Sequence, residues 1–261
     1  MKISISLAQL NLKLGNTAKN LENAFQMISV ASESKSDLIL LPELWSSSYD
    51  LENCHKYAEK NRKINLEVAN FAKQKNITVG GSLLREFQGD IFNTFTMLNS
   101  DGKILAQYDK IHLFRLMDEH IWMKPGNKIQ TVDFPWGKTG LAICYDLRFP
   151  ELFRRYAHSG VKLILLVAEW PQTRINHWNT LLQARAIENQ VFIAAVNCVG
   201  KTGQAVYGGS SMIIDPWGEI LINGDLNNPQ ILTAEIDLTL VDDVKNKIPV
   251  LDDCRPDIYF T

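Results

Sequence analysis

A cysteine, Cys144, stands at the point where an apolar run gives way to charged residues. Residues 141–143 are Leu-Ala-Ile and indicate a buried strand, while the charged cluster after Cys144 indicates a loop or turn. In open α/β sheets ligands bind at the carboxyl ends of the strands, so a thiol placed there is a candidate nucleophile. Most free cysteines are instead small buried hydrophobic residues, and the thiol alone does not decide between these two interpretations.

Two more reactive groups follow predicted strands. Glu43 comes after the apolar residues 38–41, and Lys110 comes after a strand predicted over 103–108. If these strands run parallel to the one before Cys144 in one sheet, their carboxyl ends converge on one edge. Each group has a simpler interpretation as a solvated turn, but the occurrence of all three at strand ends favours a shared pocket.

A carboxylate, an ammonium and a thiol form a consistent set for acyl transfer through a thioester. A free thiol has a pKa of about 8.5 and is only slightly ionised at neutral pH, so a base must accept its proton. The negative charge of that base opposes thiolate formation, and a nearby ammonium offsets this repulsion. The same ammonium can stabilise the oxyanion of a tetrahedral intermediate.

The elements that must position these groups alternate between strands and helices. Strands are predicted over residues 3–9, 38–41, 77–84, 92–98, 103–108, 129–134, 139–143, 163–168, 191–196, 212–214, 219–222 and 231–236. Helices are predicted from the Asn16-Thr17 cap to about Ser34 and over 62–75, 151–158 and 175–189. Hairpins such as the one at Asp101-Gly102 interrupt the alternation, which requires mixed sheets. We therefore predict an α/β fold in one domain over residues 1–261, with two stacked mixed β-sheets, helices on their outer faces and an irregular tail from Asp237.

Composition excludes several classes of protein. The 261 residues are 46% hydrophobic and 21% charged, with a formal net charge of −2, so no basic surface suggests nucleic acid as a partner. No apolar run approaches the roughly 20 residues of a membrane span. The N-terminus lacks the pattern of a signal peptide, and we expect a cytoplasmic protein. The four scattered cysteines form no C-x-x-C pair and are expected to be free thiols.

Three motifs together resemble the signatures of the nitrilase (carbon–nitrogen hydrolase) superfamily. In chain order they are Leu41-Pro42-Glu43, Asp109-Lys110-Ile111-His112-Leu113 and Cys144-Tyr145-Asp146-Leu147-Arg148-Phe149-Pro150-Glu151. The resemblance runs from the first strand to about Ile236. Residues 112–120, His177-Trp178 and residues 183–189 look most like the bacterial omega-amidase branch, which hydrolyses the terminal amide of 2-oxo acids such as 2-oxoglutaramate and 2-oxosuccinamate.

The resemblance implies roles for individual residues. Glu43 would be the general base, Lys110 the oxyanion stabiliser and Cys144 the nucleophile, while Glu119 would orient the lysine and the substrate amide. The backbone N–H of Tyr145 would complete the oxyanion site. The resemblance also implies a four-layer αββα sandwich that forms a homodimer or higher homo-oligomer, with no metal or organic cofactor.

The residues that contact the substrate are less defined by the motifs. Tyr49, Trp170 and Arg174 are candidates, with Tyr49 and Arg174 expected at the substrate carboxylate. Arg148 and Glu151 are expected to form an ion pair that positions the turn after Cys144. Glu169 departs from the family pattern, because a carboxylate in the pocket would repel an anionic substrate: either it faces away and is paired, or the 2-oxo acid assignment is wrong.

Two other classes of function are open at this stage. A Cys-His hydrolase is possible because His112 lies near the lysine motif, although no Gly-x-Cys-x-Gly elbow surrounds Cys144. A non-catalytic interaction protein of the same fold is the other alternative, and the presence of all four catalytic groups argues against it. Within the family, a nitrilase, a carbamoylase or another amidase would use the same groups.

Overall fold

The computed structural model describes residues 1–259 and contains two large β-sheets between layers of helices. The strands are β1 (Lys2–Gln9), β2 (Leu38–Leu40), β3 (Thr78–Phe87), β4 (Asp90–Leu98), β5 (Ile104–Asp109), β6 (Thr131–Phe134), β7 (Gly137–Ile143), β8 (Leu163–Val167), β9 (Phe192–Val196), β10 (Val199–Thr202), β11 (Ala205–Gly208), β12 (Met212–Ile214), β13 (Ile220–Asn223) and β14 (Gln230–Asp237). The helices are α1 (Thr17–Glu33), α2 (Cys54–Lys75), α3 (Glu119–Trp122), α4 (Pro150–His158), α5 (Ile175–Asn189), α6 (Thr239–Lys247) and α7 (Pro256–Tyr259).

Each large sheet has six strands and mixed pairing. The first has the order β14-β1-β2-β3-β4-β5, and the second has the order β13-β12-β9-β8-β7-β6. In the first sheet β1, β2 and β3 are parallel, and β4 and β5 are added by antiparallel pairing. In the second, β7, β8 and β9 are parallel and the outer strands are antiparallel. Strands β10 and β11 form a separate hairpin.

Alternating side chains of the first sheet divide between two hydrophobic cores. Ile3, Ile5 and Leu7 of β1 belong to the core shared with the second sheet, whereas Ala8 and Leu10 belong to the core under α1 and α2. Successive side chains of a strand point to opposite faces, so a sheet of apolar strands can be covered on both sides. The inner core extends through the second sheet to buried residues of α4 and α5. This arrangement confirms the predicted four-layer αββα sandwich.

Most predicted element positions are confirmed, but two are wrong and one hairpin is missing from the prediction. Helix α2 begins at Cys54 instead of residue 62, because its buried face already starts with Cys54, Tyr57 and Ala58. The tail after Asp237 is not irregular, since α6 buries Val241 and Val244. The hairpin of β10 and β11 was not predicted.

The strands that precede the reactive groups belong to two different sheets, so the prediction of one shared sheet is wrong. Glu43 follows β2 and Lys110 follows β5 of the first sheet, whereas Cys144 follows β7 of the second. The two sheets stack with the carboxyl ends of these strands on the same side, so the groups meet across the space between the sheets. Within residues 1–259, no helix is long and apolar enough to cross a membrane.

Candidate active site

Three charged side chains form a buried cluster at the carboxyl ends of the first sheet's strands. The Lys110 Nζ donates to Glu43 Oε1 at 2.7 Å and to Glu119 Oε1 at 2.6 Å. All three side chains are fully withdrawn from solvent. Buried ion pairs hold together only where their remaining hydrogen-bonding atoms are also satisfied. The loop that presents Lys110 is fixed by Gly126, whose N–H donates to the Lys110 carbonyl at 2.8 Å.

Polar groups of four other segments hold the two carboxylates in place. Glu43 Oε1 accepts from Asn93 Nδ2 at 2.8 Å, and Glu43 Oε2 accepts from the Glu169 N–H at 3.0 Å. Glu119 Oε1 accepts from the Tyr49 hydroxyl at 2.7 Å, and Glu119 Oε2 accepts from the Phe114 N–H at 2.8 Å. Both carboxylates are therefore fixed at both oxygens before any substrate arrives.

Asn93 was not found from the sequence, although a signal was present. It alternates in β4 with Ile91 and Phe95, which are both buried, so it places an amide on an otherwise apolar face. A polar residue at such a position requires a buried partner, and here that partner is Glu43.

Cys144 begins a tight turn that directs its side chain between the two sheets. Its φ of +43° lies in the left-handed region, which a non-glycine residue adopts only at a cost of about 1–3 kcal/mol. Leu44, next to Glu43, also has a positive φ of +41°. Unfavourable backbone conformations thus occur next to both the thiol and the carboxylate, which is typical of functional sites. Tyr145 is the second residue of the turn, so its N–H has no acceptor within the turn itself.

The buried carboxylate of Asp146 stabilises this turn. Its Oδ2 accepts from the Ile143 N–H at 2.9 Å and from the Tyr108 hydroxyl at 2.7 Å. Its Oδ1 accepts from the His112 N–H at 3.2 Å and lies 2.7 Å from His112 Nδ1. His112 therefore contacts a structural carboxylate and stacks on Phe149, with ring centroids 3.6 Å apart. These contacts account for His112 without a role as the partner of a Cys-His pair.

The electrostatic environment of Cys144 favours the neutral thiol. Burial raises the pKa of Cys144 well above its usual value, and the charge of Glu43 raises it further while Lys110 opposes this. For Lys110, burial lowers the pKa, but the charges of Glu119 and Glu43 outweigh it and raise the pKa above its ordinary value. Burial likewise raises the pKa of Glu119 against the opposing effect of Lys110. The site therefore holds an ammonium beside a thiol that a base must deprotonate.

A narrow cavity, with about 10 Å³ open to the centre of a water molecule, gives access to the thiol. Its walls are formed by Tyr49, Phe114, Met117, Cys144, Tyr145, Arg148, Glu169, Trp170, Pro171 and Arg174. So narrow a cavity excludes a folded partner and admits only a small ligand. All three candidates for substrate contact, Tyr49, Trp170 and Arg174, lie on this wall. The Tyr49 hydroxyl, however, is directed to Glu119, so only the rest of its side chain is available to a substrate carboxylate.

The predicted ion pair between Arg148 and Glu151 is wrong. Arg148 instead packs over the ring of Trp170, 4.7 Å from the centroid, while Glu151 is exposed on α4. Arg174 packs over Phe114 at 5.4 Å. Neither arginine has an acidic partner within 4 Å in the described part of the chain. Both arginines line the same cavity. Burial lowers the pKa of Arg148, and the like charge of Arg174 adds to this effect.

Glu169 does not face away from the pocket, so the first of the two expectations stated for it is wrong. It lines the cavity, the Ser48 hydroxyl donates to its Oε2 at 2.7 Å, and the Tyr207 hydroxyl also lies near its carboxyl group. Its Oε1 is buried without a partner among the described residues. No group of three or more His, Cys, Asp or Glu side chains within residues 1–259 is arranged to hold a metal ion.

The same chain matches known proteins over nearly its whole length. The profile of the family described as carbon-nitrogen hydrolase matches residues 4–246. The 2-oxoglutaramate amidase of Bacillus subtilis (strain 168) is 39% identical over 261 residues, which cover 99% of this chain and 100% of that protein. Omega-amidase NIT2 of Mus musculus is 32% identical over 266 residues, covering 97% and 96% of the two chains.

The fold is also similar to that of solved structures. One is a variant of the amidase from Nesterenkonia sp. AN1 with covalent addition of the acetamide moiety of fluoroacetamide at the active site cysteine. Its TM-score is 0.88 at 25% sequence identity, and the match covers 98% of this chain and 95% of that one.

Proposed function

Because the chain belongs to the carbon–nitrogen hydrolase family, we propose that it hydrolyses the terminal amide of a small 2-oxo acid through a thioester on Cys144. The enzyme class, a hydrolase of carbon–nitrogen bonds other than peptide bonds, follows from the family and from relatives that are amidases. The substrate class rests on two relatives, a 2-oxoglutaramate amidase and an omega-amidase, and on the cavity of this chain.

The first half of the proposed reaction forms the thioester. Glu43 accepts the thiol proton as the Cys144 sulfur attacks the amide carbonyl carbon, because a free thiolate is disfavoured in this environment. The carbonyl π electrons move onto oxygen, and Lys110 and the Tyr145 N–H stabilise the resulting oxyanion. Glu43 then gives its proton to the amide nitrogen, the carbon–nitrogen bond breaks, and ammonia leaves.

The second half returns the enzyme to its starting state. Glu43 removes a proton from water as the water oxygen attacks the thioester carbon, and the same oxyanion site stabilises the second intermediate. The carbon–sulfur bond breaks, Glu43 returns the proton to sulfur, and the carboxylic acid product leaves. Asn93 and the Glu169 N–H hold Glu43 in place through both halves, and Glu119 holds Lys110.

The observation that supports an anionic substrate most strongly is the pair of arginines on the cavity wall. Arg148 and Arg174 both lie on the wall that also contains Cys144, and neither forms an ion pair with a described acidic residue. Partly buried guanidinium groups without a counter-ion favour a ligand carboxylate, which can form bidentate hydrogen bonds with them. A small acid with an amide at its other end would span from these arginines to the thiol.

A panel assay for ammonia release tests this function. We expect 2-oxoglutaramate and 2-oxosuccinamate to be better substrates than glutamine, asparagine, a carbamoyl amino acid or a simple nitrile. Arg148→Gln and Arg174→Gln should each raise the KM for the 2-oxo acid amides by about 10- to 100-fold, as expected for loss of a charged hydrogen bond. For an uncharged aliphatic amide the same variants should change the KM by a much smaller factor.

The panel also separates the proposal from its alternatives. Preference for the nitrile or the carbamoyl compound would place the chain with a nitrilase or a carbamoylase, while no turnover of any compound would favour a non-catalytic protein of this fold. Equal effects of the arginine variants on charged and uncharged amides would remove the argument for an anionic substrate.

We also propose that the enzyme is cytoplasmic and acts as a homodimer or higher homo-oligomer. All four cysteines are free thiols, which suits a reducing compartment. The proposal of a homo-oligomer is supported by the family resemblance alone. The proposed reaction uses side chains and water, and it calls for no metal, organic cofactor, nucleic acid or membrane.

A further inference from the structure

The side chain of Glu169 is an acid placed in the substrate cavity without a cation. Glu169 follows β8, and only 1% of the residue is exposed to solvent. The Ser48 hydroxyl donates to Oε2 at 2.7 Å, while Oε1 is buried and has no hydrogen-bond partner among the described residues. The reaction as proposed above uses only the backbone N–H of this residue.

The groups around Glu169 do not supply a counter-ion. The nearby Lys110 ammonium is already hydrogen-bonded to Glu43 and Glu119. The titratable groups that face Glu169 from the surrounding elements are Glu43, Lys110, Cys144, Cys198 and Tyr207, with Arg148 and Arg174 on the cavity wall. No nitrogen of a described lysine, arginine or histidine lies within 4 Å of its carboxyl oxygens.

An ionised carboxylate is therefore unfavourable at this position. A buried charge without a partner is strongly unfavourable, and such a group tends to take up a proton instead. Burial raises the pKa of Glu169 well above its ordinary value, and the charge of Glu43 adds to this effect. The hydrogen bonds from Ser48 and Tyr207 and the charge of Lys110 oppose it without reversing it. The site therefore favours the uncharged carboxylic acid, with Oε2 accepting from Ser48 and Oε1 left without a direct hydrogen-bond partner among the described residues.

We propose that Glu169 determines specificity by donating a hydrogen bond, as an uncharged carboxylic acid, from Oε1 to the 2-oxo oxygen of the substrate. This inference rests on the proposed function, since it assigns the arginines to the substrate carboxylate and Glu169 to the oxygen beside it. A carboxylic acid that its site keeps neutral is an effective hydrogen-bond donor.

The same donor explains how 2-amino acid amides would be rejected. The 2-ammonium group of glutamine can only donate hydrogen bonds. In this site it would face the Glu169 hydroxyl, which is also a donor, and neither group would have an acceptor. A site that is built to hydrogen-bond one substituent discriminates strongly against an analogue that leaves its buried polar group unpaired. An ionised Glu169 would have the opposite preference, because it would attract the ammonium and repel the 2-oxo acid.

Two variants of Glu169 separate a donor from a merely structural residue. Glu169→Gln keeps the size and an N–H donor, whereas Glu169→Met keeps the approximate size without one. The measured quantity is the ratio of kcat/KM for 2-oxoglutaramate to kcat/KM for glutaric acid monoamide, which lacks the 2-oxo group. We expect Glu169→Gln to keep this ratio within about threefold and Glu169→Met to lower it by about 10- to 100-fold, the usual effect of losing one buried hydrogen bond.

The pH dependence provides a second readout. A raised pKa means that the neutral donor persists to higher pH and is lost only as the pH rises through that value. In the unaltered enzyme the ratio should therefore fall at alkaline pH, and in Glu169→Gln it should stay flat. Infrared difference spectra of the two proteins at pH 7 should show the C=O band of a protonated carboxylic acid that disappears in the glutamine variant, whether or not the methionine variant folds.

Several results would overturn the proposal. A Glu169→Gln enzyme with a tenfold higher ratio at pH 7 would mean that an ionised Glu169 repels the substrate. An unchanged ratio in folded Glu169→Met, or no protonated-acid band in the unaltered enzyme, would exclude the donor while leaving the proposed function intact. Failure of the unaltered enzyme to hydrolyse 2-oxoglutaramate, with turnover of other amides, would overturn both proposals together.

Discussion

At the level of single residues, the cluster around Lys110 determines the state of the nucleophile. With Glu43, Glu119 and Lys110 all charged, the cluster carries one net negative charge next to Cys144. This charge and the burial of the thiol explain why the pKa of Cys144 is raised although an ammonium is nearby. The nucleophile is therefore expected to lose its proton during attack and not before it.

This account predicts opposite effects of Glu43→Gln on reactivity and on activity. Removing the carboxylate charge should lower the pKa of the Cys144 thiol, because Glu43 raises it both by its charge and by its hydrogen bond. The kcat for amide hydrolysis should nevertheless fall by about 10²- to 10⁴-fold, the usual contribution of a general base. The pH dependence of Cys144 alkylation, followed on its peptide by mass spectrometry, measures the first effect, and steady-state kinetics measure the second.

Glu52→Gln provides the matched control, because Glu52 is exposed and is not among the groups that change the pKa of Cys144. It should change neither the thiol pKa nor kcat. A thiol pKa that rises in Glu43→Gln would mean that Glu43 stabilises the thiolate through another group, and the proton-transfer step would have to be rewritten.

At the level of elements, the turn after β7 depends on a single buried carboxylate. Asp146 accepts hydrogen bonds from the strand before the turn, from β5 and from the segment that follows Lys110. It therefore connects the two sheets directly beneath the reactive groups. The positive φ of Cys144 requires such support, since an unfavourable backbone conformation persists only where its surroundings fix it.

We predict that Asp146→Asn destabilises the protein by about 2–4 kcal/mol, because an amide places a donor among groups that are themselves donors. Urea unfolding at neutral pH measures the free energy of unfolding. Asp133→Asn, at an exposed position of β6, should change it by less than about 0.5 kcal/mol. Equal stability of the two variants would show that the turn does not depend on this carboxylate.

The sequence predicted the elements with strong periodicity and missed those that depend on tertiary contacts. The helix after Asn16 and the apolar strands before Glu43 and Cys144 are confirmed because capping and burial patterns are local. The hairpin of β10 and β11 has only four residues in each strand, and its position is fixed by contacts such as the Thr202 hydroxyl bond to the Leu12 carbonyl. No local pattern could reveal such a contact.

In the candidate site, too, motifs identify residues correctly, whereas contacts that depend on tertiary packing are missed. Glu43, Lys110, Glu119 and Cys144 were identified from motifs, and the structure brings them together. The prediction that Arg148 pairs with Glu151 relies on their closeness in sequence and is wrong. Arg148 packs over the Trp170 ring instead, while Glu151 is exposed. Which way a side chain points after a turn depends on the packing of neighbouring elements, here on the Trp170 ring.

At the level of the whole molecule, the fold serves to bring together segments that are far apart in the chain. The first sheet supplies the base and the ammonium, and the second supplies the thiol and Glu169, so neither sheet contains a complete site. The inner core shared by both sheets fixes their relative position, since packed interiors tolerate little displacement. Catalysis is thus expected to be lost whenever the sheets separate, before the individual helices unfold.

The predicted homo-oligomer is a separate property of the whole molecule. We expect light scattering of the purified protein to give at least twice the mass of one 261-residue chain. A mass that stays at one chain over the micromolar range would contradict that prediction without affecting the site, because every group of the proposed mechanism belongs to one chain.

The most direct test of the central claim is the mass of the intact protein during turnover. Rapid acid quenching of a reaction with 2-oxoglutaramate should reveal a population heavier by one acyl group, and peptide mapping should place that group on Cys144. Cys144→Ala should show neither the adduct nor ammonia release. Full activity in Cys144→Ala, together with no acyl adduct on the unaltered enzyme, would contradict a mechanism in which this thiol is the nucleophile.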